Sequence, residues 1–449
     1  MNKKQILIAA LIACTSNAFA GGYLTNTNQS IYFLRNPARD ASIGIDGVYY
    51  NPAGAAFLGE GFHLQFNWQN ARQHRDAVAK YTIPNVGDLF TKNYVSPAAD
   101  GSRKFKGDVK VPIQPSLFML YNKGDWSYQV GFGVMGGGGG CNFDDGVGQF
   151  EALVGSSGIA TFKEKNLPFG GYALNSSVEG KSYNFGLTLA VARKLTDKLS
   201  VSVGLRALYA TNHYEGYIKD IKYKVGDTQT FVDAPSFELD CDQKGFGIAP
   251  IIGVDFQPTS WLNLAAKYEF RAPIKVKSEA HNNDAFNALA ATNPAFASYI
   301  DGAKTASDMP ALLTLGAQIS PIEKLRLNVG YHYYADLGTR QWSEDKIASN
   351  TNEILFGAEY DINDKFEVSA GYQKTMFDQT EANYSDMNFN LSSYSFGFGV
   401  GYRVTEKIKV NVAYFQTIYD DHTKTVQNTS TTTYSRTNRI IGVGIDFAF

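Results

Sequence analysis

The stretch Ile441-Gly-Val-Gly-Ile-Asp-Phe-Ala-Phe449 puts Ile441, Val443, Ile445, Phe447 and Phe449 on one face of a strand and Gly442, Gly444, Asp446 and Ala448 on the other. An alternating strand can also belong to a soluble sheet, but here the pattern recurs along the chain with an aromatic-rich apolar face. Tyr183, Phe185, Leu187, Leu189 and Val191 alternate with Asn184, Gly186, Thr188, Ala190 and Ala192. Tyr394, Phe396, Phe398, Val400 and Tyr402 alternate with Ser395, Gly397, Gly399, Gly401 and Arg403. One face toward lipid and the other toward a polar lumen is the dyad pattern of a transmembrane β-barrel. Lys267, Glu269 and Arg271 share a face opposite Leu264, Ala266, Tyr268 and Phe270. Since Arg or Lys at the lipid midplane costs about 2–4 kcal/mol, that face is expected to point into the lumen.

Composition fits. Of 449 residues, 30 are Phe and 27 Tyr but only 4 Trp, and 43 are Gly. Mean hydropathy is −0.23, as expected when every second residue of a spanning strand is polar. Beyond the N-terminus no apolar run approaches the length of a spanning helix. A net charge of −2 gives no reason to expect a nucleic-acid partner. A soluble antiparallel sandwich is the competing fold, but it leaves the order of connections along the chain unexplained.

Six connections are short and polar: Asn122–Asp125, Thr196–Lys198, Pro258–Ser260, Pro321–Lys324, Asn363–Lys365 and Thr405–Lys407. They take turns with seven long ones near 76–108, 137–180, 220–244, 277–308, 341–350, 378–390 and 420–434. Thirteen connections imply fourteen strands, an even number with short periplasmic turns and long external loops. The expected fold is all-β: a 14-stranded antiparallel transmembrane barrel.

The N-terminus reads as a secretory signal over 1–20: Lys3 and Lys4, the apolar run Ile6 to Ala13, then Ala18-Phe19-Ala20. Leu11-Ile12-Ala13-Cys14 also resembles a lipoprotein processing box, which would lipidate Cys14. Export permits a disulfide between Cys141 and Cys241, and two free thiols are the alternative. Residues 21–61 do not alternate and carry the turn elements Arg35-Asn36-Pro37-Ala38 and Tyr50-Asn51-Pro52-Ala53. A barrel of this size is too wide for its own side chains to fill. This segment is therefore expected to form a plug, or hatch, within a barrel over 62–449; a loose periplasmic arm is the alternative.

The start Gly21-Gly-Tyr-Leu-Thr, the stretch Val48-Tyr-Tyr-Asn-Pro-Ala-Gly54 and fourteen strands ending on Phe449 together resemble the FadL/TodX (OmpP1) family. These are outer-membrane transporters of long-chain fatty acids and aromatic hydrocarbons. The local motif Asn51-Pro52-Ala53 is short and recurs at Asn36 and Asn293, so position and strand count carry the likeness. The resemblance implies a hatch-plugged barrel, an N-terminus at an internal hydrophobic site, and a kinked third strand opening the wall toward lipid. The ligand site would then take Tyr23 and Leu24 with Phe132, Val134 and Met135. It also implies passive uptake of hydrophobic molecules, with no cofactor and no covalent step. A surface scaffold or an assembly- or secretion-associated barrel is the alternative role. Expected partners are hydrophobic small molecules, outer-membrane lipid or lipopolysaccharide, and the barrel assembly machinery through Phe449. A monomer is expected.

Gly136-Gly-Gly-Gly-Gly140 follows the strand face Trp126, Tyr128, Val130, Phe132 and Val134. Five residues without side chains tolerate backbone angles that a regular ladder forbids. They are read as the end of the third strand and a lateral gate in the wall, against the plainer reading of a flexible loop start. Gly131-Phe-Gly-Val-Met-Gly136 fits a dinucleotide fingerprint formally, but the helix it requires is not in the pattern. Residues 283–305 are the one helical-looking loop, either an external lip that captures ligand or packing over the mouth. None of the six His is spaced with Cys or a carboxylate as a metal pair, and no Gly-x-Ser-x-Gly nucleophile occurs, so no enzyme is indicated.

Overall fold

The computed structural model describes residues 27–342, 344–427 and 429–449; residues 1–20, expected to be a secretory signal, with Cys14 among them, and Tyr23 and Leu24 lie outside them. Fourteen long strands close into an antiparallel barrel. They are β1 (Gly61–Ile83), β2 (Ser102–Lys123), β3 (Trp126–Phe143), β4 (Phe169–Thr196), β5 (Leu199–Val225), β6 (Phe237–Thr259) and β7 (Leu262–Glu269). The second half holds β8 (Ala311–Ile322), β9 (Leu325–Ala335), β10 (Asn352–Asp361), β11 (Phe366–Met376), β12 (Ser393–Thr405), β13 (Ile408–Tyr419) and β14 (Ser430–Ala448). Each pairs with its neighbours in sequence, and β14 pairs with β1 from His63↔Ala448 to Tyr81↔Ser430, which closes the sheet on itself. Phe62 and Phe449 exchange backbone hydrogen bonds at 3.2 and 2.9 Å at the foot of that seam.

The strands alternate as the sequence dictates. Outward residues such as Phe398 (57% exposed) and Leu189 (44%) form the apolar wall, while Asn184, Thr188 and Lys267 are buried on the lumen side. The tight turns all fall at one end and the long connections at the other. The first six strands overshoot the wall, so segments read as loop are partly strand: β3 runs to Phe143, past the glycine run, and β5 to Val225. The connection after β3 holds a helix the sequence did not suggest, α3 (Gly148–Glu164). The expected helix is present as α4 (Asp284–Thr292), where the Asn283 side chain accepts from Phe286 N at 2.9 Å.

The apolar core lies inside the lumen, where residues 27–60 fold as the plug. Helix α1 (Ile31–Arg35) starts at Ser30, whose hydroxyl accepts from Tyr32 N, and ends at Asn36 before Pro37. Helix α2 (Gly47–Tyr50) and a 3-10 turn (Gly54–Phe57) follow. Ile31, Phe33, Leu34, Val48, Tyr49 and Tyr50 pack against Phe118, Leu120, Met135, Leu208 and Phe415 of the wall. The inward glycines are the plug's seats: a Cβ at Gly397 would collide with the Leu34 carbonyl, and one at Gly357 with the Asn36 side chain. Side chains complete the fit. Arg35 is wholly buried and bonds Ser369, Asn411 and Glu367, on β11, β13 and β11.

Candidate functional site

Asn51, Pro52 and Ala53 are clamped to the lower wall. Asn51 donates to Asp255 and accepts from Gly54 N at 3.0 Å. The Pro52 carbonyl accepts from Gln129 at 2.7 Å and that of Ala53 from Ser200 at 2.6 Å. Lys267 donates to Tyr49 O at 2.7 Å, so its lumen-facing charge is used to hold the plug. Asn51-Pro52-Ala53 therefore anchors the plug at the turn end of the barrel, and none of the three lines the cavity above the plug.

The wall is broken higher up, between β2 and β3. Pairing runs from Lys123↔Trp126 to Leu117↔Phe132 and resumes only at Val109↔Cys141 and Asp108↔Asn142. Residues 110–116 of β2 and 133–140 of β3 face each other without a ladder. The glycine run accounts for one lip. Gly137 (φ +71°) and Gly138 (φ +110°) adopt angles that side chains disfavour, and β3 bulges twice against β4, at Val134/Gly136 and Gly137/Gly139. The other lip carries Pro112 and Pro115, which lack the backbone donor a ladder needs. The plug bonds both lips of the break: the Gln29 side chain donates to Val134 O at 2.6 Å, and Gln29 O accepts from Ser116.

Gly137, Gly138 and Gly139 also line the cavity above the plug, so the break reaches the lumen. Its lining is mixed: Phe33, Val109, Val111, Phe415 and Ile440 are apolar, and Gln114, Gln373, Ser395, Thr417, Asn438 and Arg436 are polar. Arg436 stands directly opposite Arg75 across the β1–β14 seam, and both are buried. Arg75 donates to Phe389 O at 3.1 Å and lies over the Phe389 ring; Arg436 lies over Tyr419 at 4.4 Å. Nη1 of Arg75 and Nε of Arg436 have no hydrogen-bond partner. Among the described residues neither guanidinium meets a carboxylate at ion-pair distance, so two buried cationic groups stand side by side in the upper lumen.

The mouth is covered. Helix α3 packs inside the rim against Leu89, Phe90, Phe105, Tyr172 and Tyr223. The 381–391 segment crosses toward it, and Asp386 accepts from Gln149 N at 2.9 Å in the helix's first turn. Phe389, Leu391 and Tyr384 pack on Tyr434 beside it. Burial pushes the Asp386 carboxyl up to about 6, against the hydrogen bonds from Gln149 and Tyr434.

Several expectations need correction. Cys141 and Cys241 are both free and buried, not paired; they lie on β3 and β6 with β4 and β5 between them. Phe132 is 38% exposed and stacks on Phe185 on the lipid side, as its strand parity demands, so it cannot line a lumen site. Val134 and Met135 are buried at the break. The apolar side of α4 is occupied by packing: Phe286 and Ala290, with Tyr299 of the 3-10 turn that follows, sit on Tyr214, Leu239 and Cys241, which leaves no open capture lip there. Arg271 lies beyond the end of β7, bonded to Gly338 O. Among the described residues four histidines, His74, His213, His332 and His422, meet carboxylates, as His332 does with Asp40 of the plug and Glu353 of β10.

The profile of the outer membrane protein transport family (OMPP1/FadL/TodX) matches residues 151–448. The chain belongs to this family. It is an outer-membrane β-barrel of a family of hydrophobic-compound transporters. Among solved structures, a Pseudomonas aeruginosa FadL homologue shares the fold at TM-score 0.65 and 12% identity, covering 97% of this chain and 99% of the other. The Pseudomonas putida toluene transporter TodX (TM-score 0.56, 13% identity, 90% and 94% covered) is also similar. So is the Ralstonia pickettii toluene transporter TbuX (0.54, 13%, 92% and 98%). No curated protein sequence matches the chain.

Proposed function

We propose that this FadL-family barrel takes up an amphiphilic molecule with an acidic head, a long-chain fatty acid or similar compound, and releases it sideways between β2 and β3. The observation that carries the reading is the unpaired stretch 110–116/133–140 opening from the cavity above the plug. The exit lets an apolar tail pass from lumen to lipid without returning to water, so no energy source is required. The Arg75–Arg436 pair supports an acidic head, since an anion there would accept from the two nitrogens that lack a partner, Nη1 of Arg75 and Nε of Arg436. A neutral hydrocarbon such as toluene would leave them as they are.

The test compares uptake of a labelled long-chain fatty acid with that of toluene in cells carrying the wild-type chain or Arg75→Gln/Arg436→Gln. Fatty-acid uptake is expected to fall about tenfold or more, the weight of one lost charge-assisted hydrogen bond, while any toluene uptake holds. Equal loss of both would remove the acidic head from the reading. One observation favours the second role, a surface scaffold: the mouth is covered by α3 and 381–391. If neither solute enters faster than in cells lacking the protein, that role stands instead.

A further inference from the structure

The outer wall carries a second cationic group at the same seam, facing the other way. Arg72 on β1 stands opposite Arg439 on β14 and, on its other side, opposite Lys110 on β2. All three point outward and are exposed. Like charges set directly across strands repel. The nearby carboxylates are already engaged: Asp108 with His74 at 2.7 Å, and Asp76 with Lys104 at 2.5 Å. Among the described residues none of the three cations meets a carboxylate at ion-pair distance. A bare row of this kind calls for an anion from outside the chain.

Depth says which anion. On β1 the outward residues Phe62, Leu64, Phe66 and Trp68 are apolar, and on β14 so are Phe449 to Ile441. Arg72 lies ten residues above Phe62, and Arg439 ten residues above Phe449. At the rise of a tilted strand this is about 25 Å, the height of the apolar band of such barrels. The row thus stands at the external edge of the hydrocarbon, with Asn70 and the apolar surface of Ile441, Trp68 and Val443 beneath it. A ligand matching both levels has phosphates at the interface and acyl chains below. We propose that Arg439, Arg72 and Lys110 bind the phosphate of an outer-leaflet glycolipid of the lipid A type, whose acyl chains lie along that apolar wall. The site adjoins the upper end of the β2–β3 break, because Lys110 is the first β2 residue without a β3 partner. It requires only that the barrel span the outer membrane and is independent of transport.

The test uses the full-length protein purified from outer membranes in mild detergent, with bound glycolipid counted by native mass spectrometry. The variant is Arg72→Gln/Lys110→Gln/Arg439→Gln, and Lys275→Gln/Lys277→Gln/Lys304→Gln, on the external loop, is the control of equal charge change. Heat-modifiable gel mobility establishes that each is folded. Wild type and control are expected to retain glycolipid, and the first variant to retain it about a hundredfold more weakly. Added lipid A should raise the unfolding temperature of delipidated wild type, whereas the dephosphorylated glycolipid and inorganic phosphate should not. Retention in the first variant, or equal loss in the control, overturns the site. An equal effect of inorganic phosphate would make it a free-anion site and overturn the lipid assignment.

Discussion

Asp40 of the plug reaches His332 of β9, carboxylate to Nε2, at 3.0 Å. Nδ1 of the same ring meets Glu353 of β10 at 2.9 Å, and Tyr334, Gln373 and Thr375 complete the Glu353 carboxylate. Plug and wall are thus tied through one buried ring. His332→Leu would strip the buried Asp40 carboxylate of its partner and leave it near the Glu353 carboxylate, which keeps only Tyr334, Gln373 and Thr375. That is expected to cost about 3–5 kcal/mol, read as a lower denaturant midpoint for heat-modifiable mobility, with His332→Gln milder. An unchanged midpoint would place the plug's hold elsewhere, on Arg35 and on Arg39, which donates to Asp46 of the plug at 2.9 Å and to Glu359 of β10 at 2.7 Å.

The glycines of the break are not equivalent. A Cβ on Gly137 would collide with the backbone carbonyl of Ser182 and would sit at positive φ. One on Gly139 would meet Val111 and Val109 across the break, at 2.6 and 2.9 Å. Gly137→Val is therefore expected to impair folding. Gly139→Val should fold with the gap filled and should lower uptake. Replacing Pro112 and Pro115 by Thr restores two donors and should act in the same direction as Gly139→Val. Normal uptake by a folded Gly139→Val barrel would move the exit away from this break.

The contact between Asp386 and α3 should respond to pH. The folded carboxyl titrates near 6, above its usual 3.8, because burial disfavours its charge. Its contribution is thus fully present below about pH 4 and is lost as pH rises through 6. Amide exchange at 149–153 and 381–391, corrected for intrinsic rates, should be slower at pH 5 than at pH 7.5. Asp386→Asn should erase the difference. A pH difference that survives in Asp386→Asn would assign the effect to another group.

Cys141 and Cys241 are buried at the external end, 3% and 0% exposed. An impermeant maleimide should label neither in intact cells, with or without reductant. Both should label after denaturation without reductant. A need for reductant would restore the disulfide.

Much of the barrel was legible because a strand's period of two writes its two environments into alternate residues. Tyr183 to Ala192 and Tyr394 to Arg403 face as their alternation says, and the short turns fix where strands reverse. Helix α3 was hidden by its own residues, with Gly155 and Gly158 lowering its propensity. Part of what holds it, Asp386 at its start, comes from a distant connection. The glycine run pointed to the break, but Pro112 and Pro115 gained meaning only once β2 was seen as its partner. The pairings Arg75–Arg436, Arg72–Arg439 and His332–Asp40 depend on register or on the path of the plug, which local pattern does not carry.

Both arginine pairs straddle the β1–β14 seam, one member on the first strand and one on the last. Neither exists as a pair in a chain whose final strand has not yet docked. In that unfinished state the two free borders of the sheet would each display positive charge on both surfaces. Charged borders discourage pairing with another copy's border, so they would act against head-on stacking of half-made barrels. The same four side chains thus guard the open sheet and, after closure, become two concentrations of positive charge back to back, one facing the lumen and one the leaflet.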